Sequence, residues 1–173
     1  MELSKENILK YARKYTTRYF DTPDGVEENA LKEKLRHQDF LTRDDYINIG
    51  LWKSKRPRRH YESPSNSDSL VREVTAFSFS SKDERVKIEK LTSLKGCSYP
   101  VASVILHFKF PDRYPILDIR ALWSLGKTQP GSSYTFDFWW DYVQEIRELS
   151  ESLKIDIRTI DKALWYYSKE NQR

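Results

Sequence analysis

The sequence predicts an all-α fold. Apolar residues recur at helical spacing through nearly every segment, Gly and Pro punctuate the intervals between segments, and little reads as strand. Ile8, Ala12, Tyr15 and Tyr19 share one face of an amphipathic helix over the first twenty residues, which the turn Asp21-Thr22-Pro23-Asp24-Gly25 ends. A shorter helix is expected from Glu27 to Arg36. Thr42 caps a third, running through Tyr46, Ile49 and Trp52 toward a basic run, and Ser67 caps a fourth that carries Leu70, Val74 and Phe77. Ile88, Leu91 and Leu94 mark a helix from Lys82 to Leu94, and a tight turn follows at Lys95-Gly96-Cys97-Ser98.

Pro100 suits the first turn of the next helix, where no backbone N–H is required, and Val101, Val104, Ile105 and Phe108 form its apolar face. That helix stops near Phe110, because Pro111 and Pro115 bracket a loop. Asp118 then heads a short apolar run, Ile119 to Leu125, with Gly126 as its C-cap. After the loop Lys127 to Ser133 comes a long helix through Phe136, Trp139, Val143, Ile146 and Leu153, and the last helix places Ile157, Ile160, Leu164 and Tyr167 on one face. Asp161 and Glu73, acids on apolar helices, are expected at the surface or in local ion pairs.

At 173 residues the chain suits one substantial core or two small lobes, and without an internal repeat it reads as a single domain, 1–173. No apolar run approaches the roughly 18 residues of a membrane span, and MELSKENILK lacks a hydrophobic signal core. These features predict a soluble cytoplasmic protein, nucleoid-associated if bacterial, without membrane contact. One cysteine permits no internal disulfide, and His37, His60 and His107 have no metal-ligand spacing, so neither metal nor cofactor is expected.

The net charge of +4 and pI of about 9.0 are compatible with nucleic acid without arguing for it. Placement says more: in Lys53-Ser54-Lys55-Arg56-Pro57-Arg58-Arg59, five of seven residues are basic and none is acidic. Such a run either contacts phosphates or forms a solvated loop with a few surface ion pairs. Aromatic residues make up 14% of the chain, including five tryptophans, and both a core and a base-stacking pocket can use them.

The stretch Leu91 to Gly126, and above all Leu94-Lys95-Gly96-Cys97-Ser98-Tyr99-Pro100-Val101-Ala102 followed by Leu117-Asp118, resembles the helix-hairpin-helix superfamily of DNA glycosylases, typified by endonuclease III. The family pattern is roughly L-P-G-V-G-x-K-T-A, an apolar helix and then V-D. Leu94, Gly96 and Ala102 fall on it, with the hairpin motif at about 82–110 and the carboxylate segment at 111–126. The position held by Lys in bifunctional members falls on Pro100, and Asp118 follows at the family's own spacing of eighteen residues.

The resemblance implies a two-lobed helical body of base-excision repair that binds double-stranded DNA independently of sequence. Amides around Gly96, Ser98 and Tyr99, with Lys95, would meet a phosphate at the positive end of the second helix, and Lys53, Arg56, Arg58 and Arg59 would add backbone contacts. A damaged base would be rotated into a cleft, where Trp52, Trp139 and Trp140 are candidates for its pocket. Asp118 would stabilise the cation developing on the sugar and orient water, making the protein a monofunctional glycosylase, a hydrolase that leaves an abasic site.

Pro100 cannot form a Schiff base, so no lyase activity is expected, and one cysteine cannot hold the family's iron–sulfur cluster. Ser98 in place of the second hairpin glycine requires a turn that avoids positive φ there or bears its cost. Two alternatives stay open. Asp118 is also a favoured N-cap with Arg120 close by, and a non-catalytic DNA-binding or structural relative would share the fold.

Overall fold

Ten helices, and no strand, make up the regular structure of the described residues, which in this computed structural model are 1–128, 130–131 and 133–172. They are α1 (Lys5–Tyr19), α2 (Pro23–Arg36), α3 (Arg43–Lys53), α4 (Arg58–Tyr61), α5 (Asp68–Ser80), α6 (Glu84–Thr92), α7 (Tyr99–Lys109), α8 (Ile119–Ser124), α9 (Phe136–Leu153) and α10 (Ile157–Asn171). In the expected loop 127–133, Gln129 and Ser132 lie outside the described residues. No described helix is long and apolar enough to cross a membrane.

Short polar side chains set where the helices begin. Ser4, Ser67, Asp83, Thr135 and Asp156 each accept a bond from an early backbone N–H, and Thr42 forms a reciprocal capping box with Asp45. Burial alone pushes the Asp45 carboxyl up, but the Lys34 ammonium and the Thr42 hydroxyl and amide outweigh it and hold it below the usual range. α8 closes as expected on Gly126, at φ +73°, with the Gly126 N–H on Trp123 O and the Lys127 N–H on Leu122 O, both 2.9 Å.

Three local expectations are corrected. α2 begins at Pro23 rather than Glu27, because Pro is preorganised for a first helical position; Gly25 is then helical, where a Cβ would stand 2.0 Å from Tyr19 O. The basic run ends inside a short helix, α4, which begins at Arg58 and is too brief to show a period. α7 is not one-sided: all eight residues from Val101 to Phe108 are buried, polar Ser103 and His107 included.

The chain divides into two compact units, one made of 1–25 with 111–173 and the other of 26–110. In the first, α10 packs on α1, α8 and α9 around Ile8, Leu122, Trp139, Ile146, Ile160 and Leu164. In the second, α3 packs on α4, α5 and α7, α5 on α6 and α6 on α7, with Leu35, Ile49, Val71, Leu91, Ile105 and Phe108 buried. Buried Lys87 joins α5 to α6 by donating to Ser81 O at 2.7 Å and Ser78 O at 3.2 Å, so its charge meets carbonyls at the negative end of α5.

Candidate nucleic-acid interface and carboxylate

In the 26–110 unit, the turn between α6 and α7 is built by close approach. Gly96 sits at φ +93°, where a Cβ would stand 2.9 Å from the Tyr61 ring and 3.0 Å from His60 Cβ. Gly50 of α3 is as tightly constrained, since its Cβ would meet the same Tyr61 ring at 2.8 Å. Tyr61 is therefore seated against two glycines, one on α3 and one in the turn. Ser98, at φ −84° and ψ 170°, is extended backbone, so the serine in place of a glycine incurs no left-handed strain.

Asn66 fixes the turn from the other side. Its Oδ1 accepts from the Lys95 N–H at 2.9 Å, while its Nδ2 lies 2.9 Å from Lys95 O, 3.1 Å from His60 O and 3.0 Å from Tyr61 O. The Tyr46 hydroxyl donates to Lys95 O at 2.9 Å. Both polar groups of the Lys95 peptide are thus satisfied, and the hairpin turn and α4, far apart in sequence, become one locked surface. Burial, and then the Cys97 thiol, push the Tyr61 phenol up to about 12. Its hydroxyl is buried without a hydrogen-bond partner among the described residues.

In the turn and the basic run, Lys95, Ser98, Arg56, Arg58 and Arg59 are exposed, and Lys53, Gly96 and Tyr99 are half-buried. Arg58 pairs with Glu62 at 3.4 Å; Arg56, Arg59 and Lys95 have no ion pair among the described residues. Ser98 is the N-cap of α7 but its side chain makes no capping bond, and Pro100 lies in the first turn, as expected. Trp52 is half-buried against Phe108, their ring centroids 5.1 Å apart.

In the unit of 1–25 and 111–173, the segment leading to Asp118 is gripped at Ile116. Asp161 of α10 accepts from the Ile116 N–H at 2.9 Å, and the Tyr142 hydroxyl of α9 donates to Ile116 O at 3.0 Å. Asp161 is 3% exposed, so of the two placements expected, at the surface or in a local ion pair, the surface one is corrected. The signal lay in its spacing, since it shares the inward face of α10 with Ile157 and Leu164. Nearby, Arg147 donates to Arg113 O at 2.7 Å and lies over the Tyr114 ring.

Asp118 itself is half-buried and caps α8, its Oδ1 accepting from the Arg120 N–H at 2.9 Å. The Arg120 guanidinium lies over Trp165, 5.4 Å from its centroid. Burial and then the Asp118 carboxylate raise the Tyr134 phenol, and burial followed by Asp161 and Asp118 raises Tyr142 well above its usual value. The carboxylate thus has two phenols in its electrostatic neighbourhood. Of the other tryptophans considered for a base pocket, Trp139 is fully buried and stacked on Tyr114, centroids 6.0 Å apart, so it presents no surface to a base. Trp140 is half-buried and stacked on Phe136.

No family model, curated protein or solved structure matches the chain.

Proposed function

We propose that this protein binds double-stranded DNA through its phosphates, independently of base sequence, and hydrolyses the N-glycosidic bond of a damaged base with Asp118 as the catalytic carboxylate. The observation that carries the reading is the union of the hairpin turn with the basic run through Asn66 and Tyr61. It ties the turn that carries exposed Lys95, which precedes the positive end of α7, to the segment that carries exposed Arg56 and Arg59, and so supports a shared phosphate-binding role.

Asp118 would act on the sugar as the base departs, because a carboxylate stabilises the developing oxocarbenium charge and orients the attacking water. The grip on Ile116, two residues earlier, supports this role by limiting where Asp118 can move. With Pro100 at the family's lysine position, the nucleophile is water and the product an abasic site.

A second reading, a DNA-binding relative without catalysis, is favoured by one observation: Asp118 already serves as the cap of α8. Both readings require duplex binding. Fluorescence anisotropy of a labelled duplex across a salt series tests it, comparing wild type with Lys95→Ala/Arg56→Ala/Arg59→Ala. Steep salt dependence is expected, with the log K against log salt slope about 2.7 units shallower in the variant. An unchanged slope would return these cations to solvent and remove the proposed interface.

A further inference from the structure

Apart from the segment around Asp118, the unit of 1–25 and 111–173 holds a groove of about 470 Å³ where α1 packs on α10, lined by Arg13, Lys14, Thr17, Arg18, Tyr166 and Glu170. Four residues are slightly more than one helical turn, so Thr17 stands beside Arg13, Arg18 beside Lys14 and Glu170 beside Tyr166. These three pairs build the two walls. The volume falls within the roughly 300–1,000 Å³ of small-molecule sites.

The groove answers its own charges only in part. Lys14 Nζ donates to Glu170 Oε2 at 2.7 Å, a bond that holds the ammonium above its usual pKa. Arg13 and Arg18 are exposed and have no ion pair among the described residues; the Arg18 guanidinium meets the Tyr19 ring at 5.9 Å, which leaves its charge in place. Tyr166 is 9% exposed, yet its hydroxyl makes no hydrogen bond among the described residues and lies within electrostatic reach of the Lys14 ammonium on the other wall. The Thr17 hydroxyl is likewise without a partner among them. A buried tyrosine normally pairs its polar end within the protein, so one that lines a groove with its hydroxyl unpaired has a donor left for a ligand.

We propose that this groove binds a small phosphomonoester that also carries a hydroxyl, with the phosphate held by the guanidinium groups of Arg13 and Arg18 and by the Thr17 and Tyr166 hydroxyls. Two unanswered positive charges match the charge of about −1.5 to −2 that a phosphomonoester concentrates in one group at pH 7, and its three terminal oxygens can take guanidinium forks and hydroxyl donors together. A carboxylate brings one charge and two oxygens to the same donors. Glu170 accepts only, and its Oε1 has no hydrogen bond among the described residues, so it receives the ligand's hydroxyl and repels a second anionic group. This inference stands on the groove between α1 and α10 and does not rest on the hairpin surface or on Asp118.

Amide chemical shifts of the isotope-labelled full chain are followed as glucose 6-phosphate is added, with glucose, succinate and phosphatidic acid vesicles as the other arms. Glucose 6-phosphate gives saturable shifts concentrated in 13–18 and 166–170, glucose gives none, and succinate, a dianion whose charges sit in two groups, binds about tenfold more weakly or worse. Arg13→Gln/Arg18→Gln, whose spectrum also reports an intact fold, loses about tenfold or more in affinity for glucose 6-phosphate. Tyr166→Phe keeps the ring and loses about threefold or more. Lys95→Ala/Arg56→Ala/Arg59→Ala binds glucose 6-phosphate like wild type, which separates the groove from the hairpin surface. The site is overturned if wild type shows no saturable shift in these two segments, if succinate or the vesicles bind as well as the sugar phosphate, or if either groove variant keeps wild-type affinity or the hairpin variant loses it.

Discussion

The side-chain amide of Asn66 holds the Lys95 peptide at both ends, accepting from its N–H and donating toward its carbonyl at 2.9 Å each. One buried side chain thereby ties the turn to the His60 and Tyr61 carbonyls of α4. Asn66→Ala strands these groups and should cost about 1–3 kcal/mol in urea unfolding. Asn66→Asp should do no better, since a carboxylate accepts from Lys95 N–H but cannot donate to three carbonyls. Stability unchanged in both variants would show that the turn is held by other contacts.

Gly50 and Gly96 test the seating of Tyr61. Gly50→Ala drives a methyl into the ring at 2.8 Å, and Gly96→Ala does so at 2.9 Å from a left-handed backbone, so Gly96→Ala should be the more destabilising of the two. In a double-mutant cycle, Gly50→Ala combined with Tyr61→Ala should cost less than the sum of the single changes, because the small side chain relieves the clash. Strict additivity would contradict the seating.

The Tyr61 hydroxyl gives an alkaline signature. Its folded pKa of about 12 exceeds the unfolded phenol value of about 10, so its contribution to stability is complete below pH 10 and is lost as pH rises toward 12. Tyr61→Phe removes a buried hydroxyl that has no partner among the described residues, so it should match or exceed wild-type stability at pH 8. It should also lose less stability between pH 9 and 11.5. Thermal unfolding at the two pH values measures this.

Asp161 and Tyr142 should act as a pair on the segment before Asp118. Asp161→Ala leaves the Ile116 N–H without its acceptor and should cost about 1–3 kcal/mol, with faster amide exchange at Ile116 in native-state measurements. Tyr142→Phe removes the bond to Ile116 O and should add little in the Asp161→Ala background. Unaltered exchange at Ile116 would show that these two bonds do not hold the segment before Asp118.

Helix caps were legible in the sequence because capping is local chemistry: Thr42, Ser67, Asp118 and Gly126 act on backbone within a few residues. So was the burial of Leu94, Val101, Ile105 and Phe108, which follows from their period. The clamp around Lys95 was not, because Asn66, Tyr61 and Gly50 lie 29 to 45 positions away in the chain and none has a local pattern that names its partner. Asp161 could be seen as an acid on an apolar face, but its Ile116 partner depends on a contact 45 residues distant.

The central claim is tested most directly by base release from duplexes carrying uracil, hypoxanthine, alkylated purines or oxidised guanine, with alkali treatment after incubation. Wild type should leave alkali-labile abasic sites in at least one duplex and form no borohydride-trapped adduct, since Pro100 cannot give a Schiff base. Asp118→Asn, which can still cap α8, should keep helicity and DNA affinity while releasing base orders of magnitude more slowly. Equal release by wild type and Asp118→Asn, or no abasic site from wild type on any of these duplexes, would contradict the assignment of Asp118 as the catalytic carboxylate.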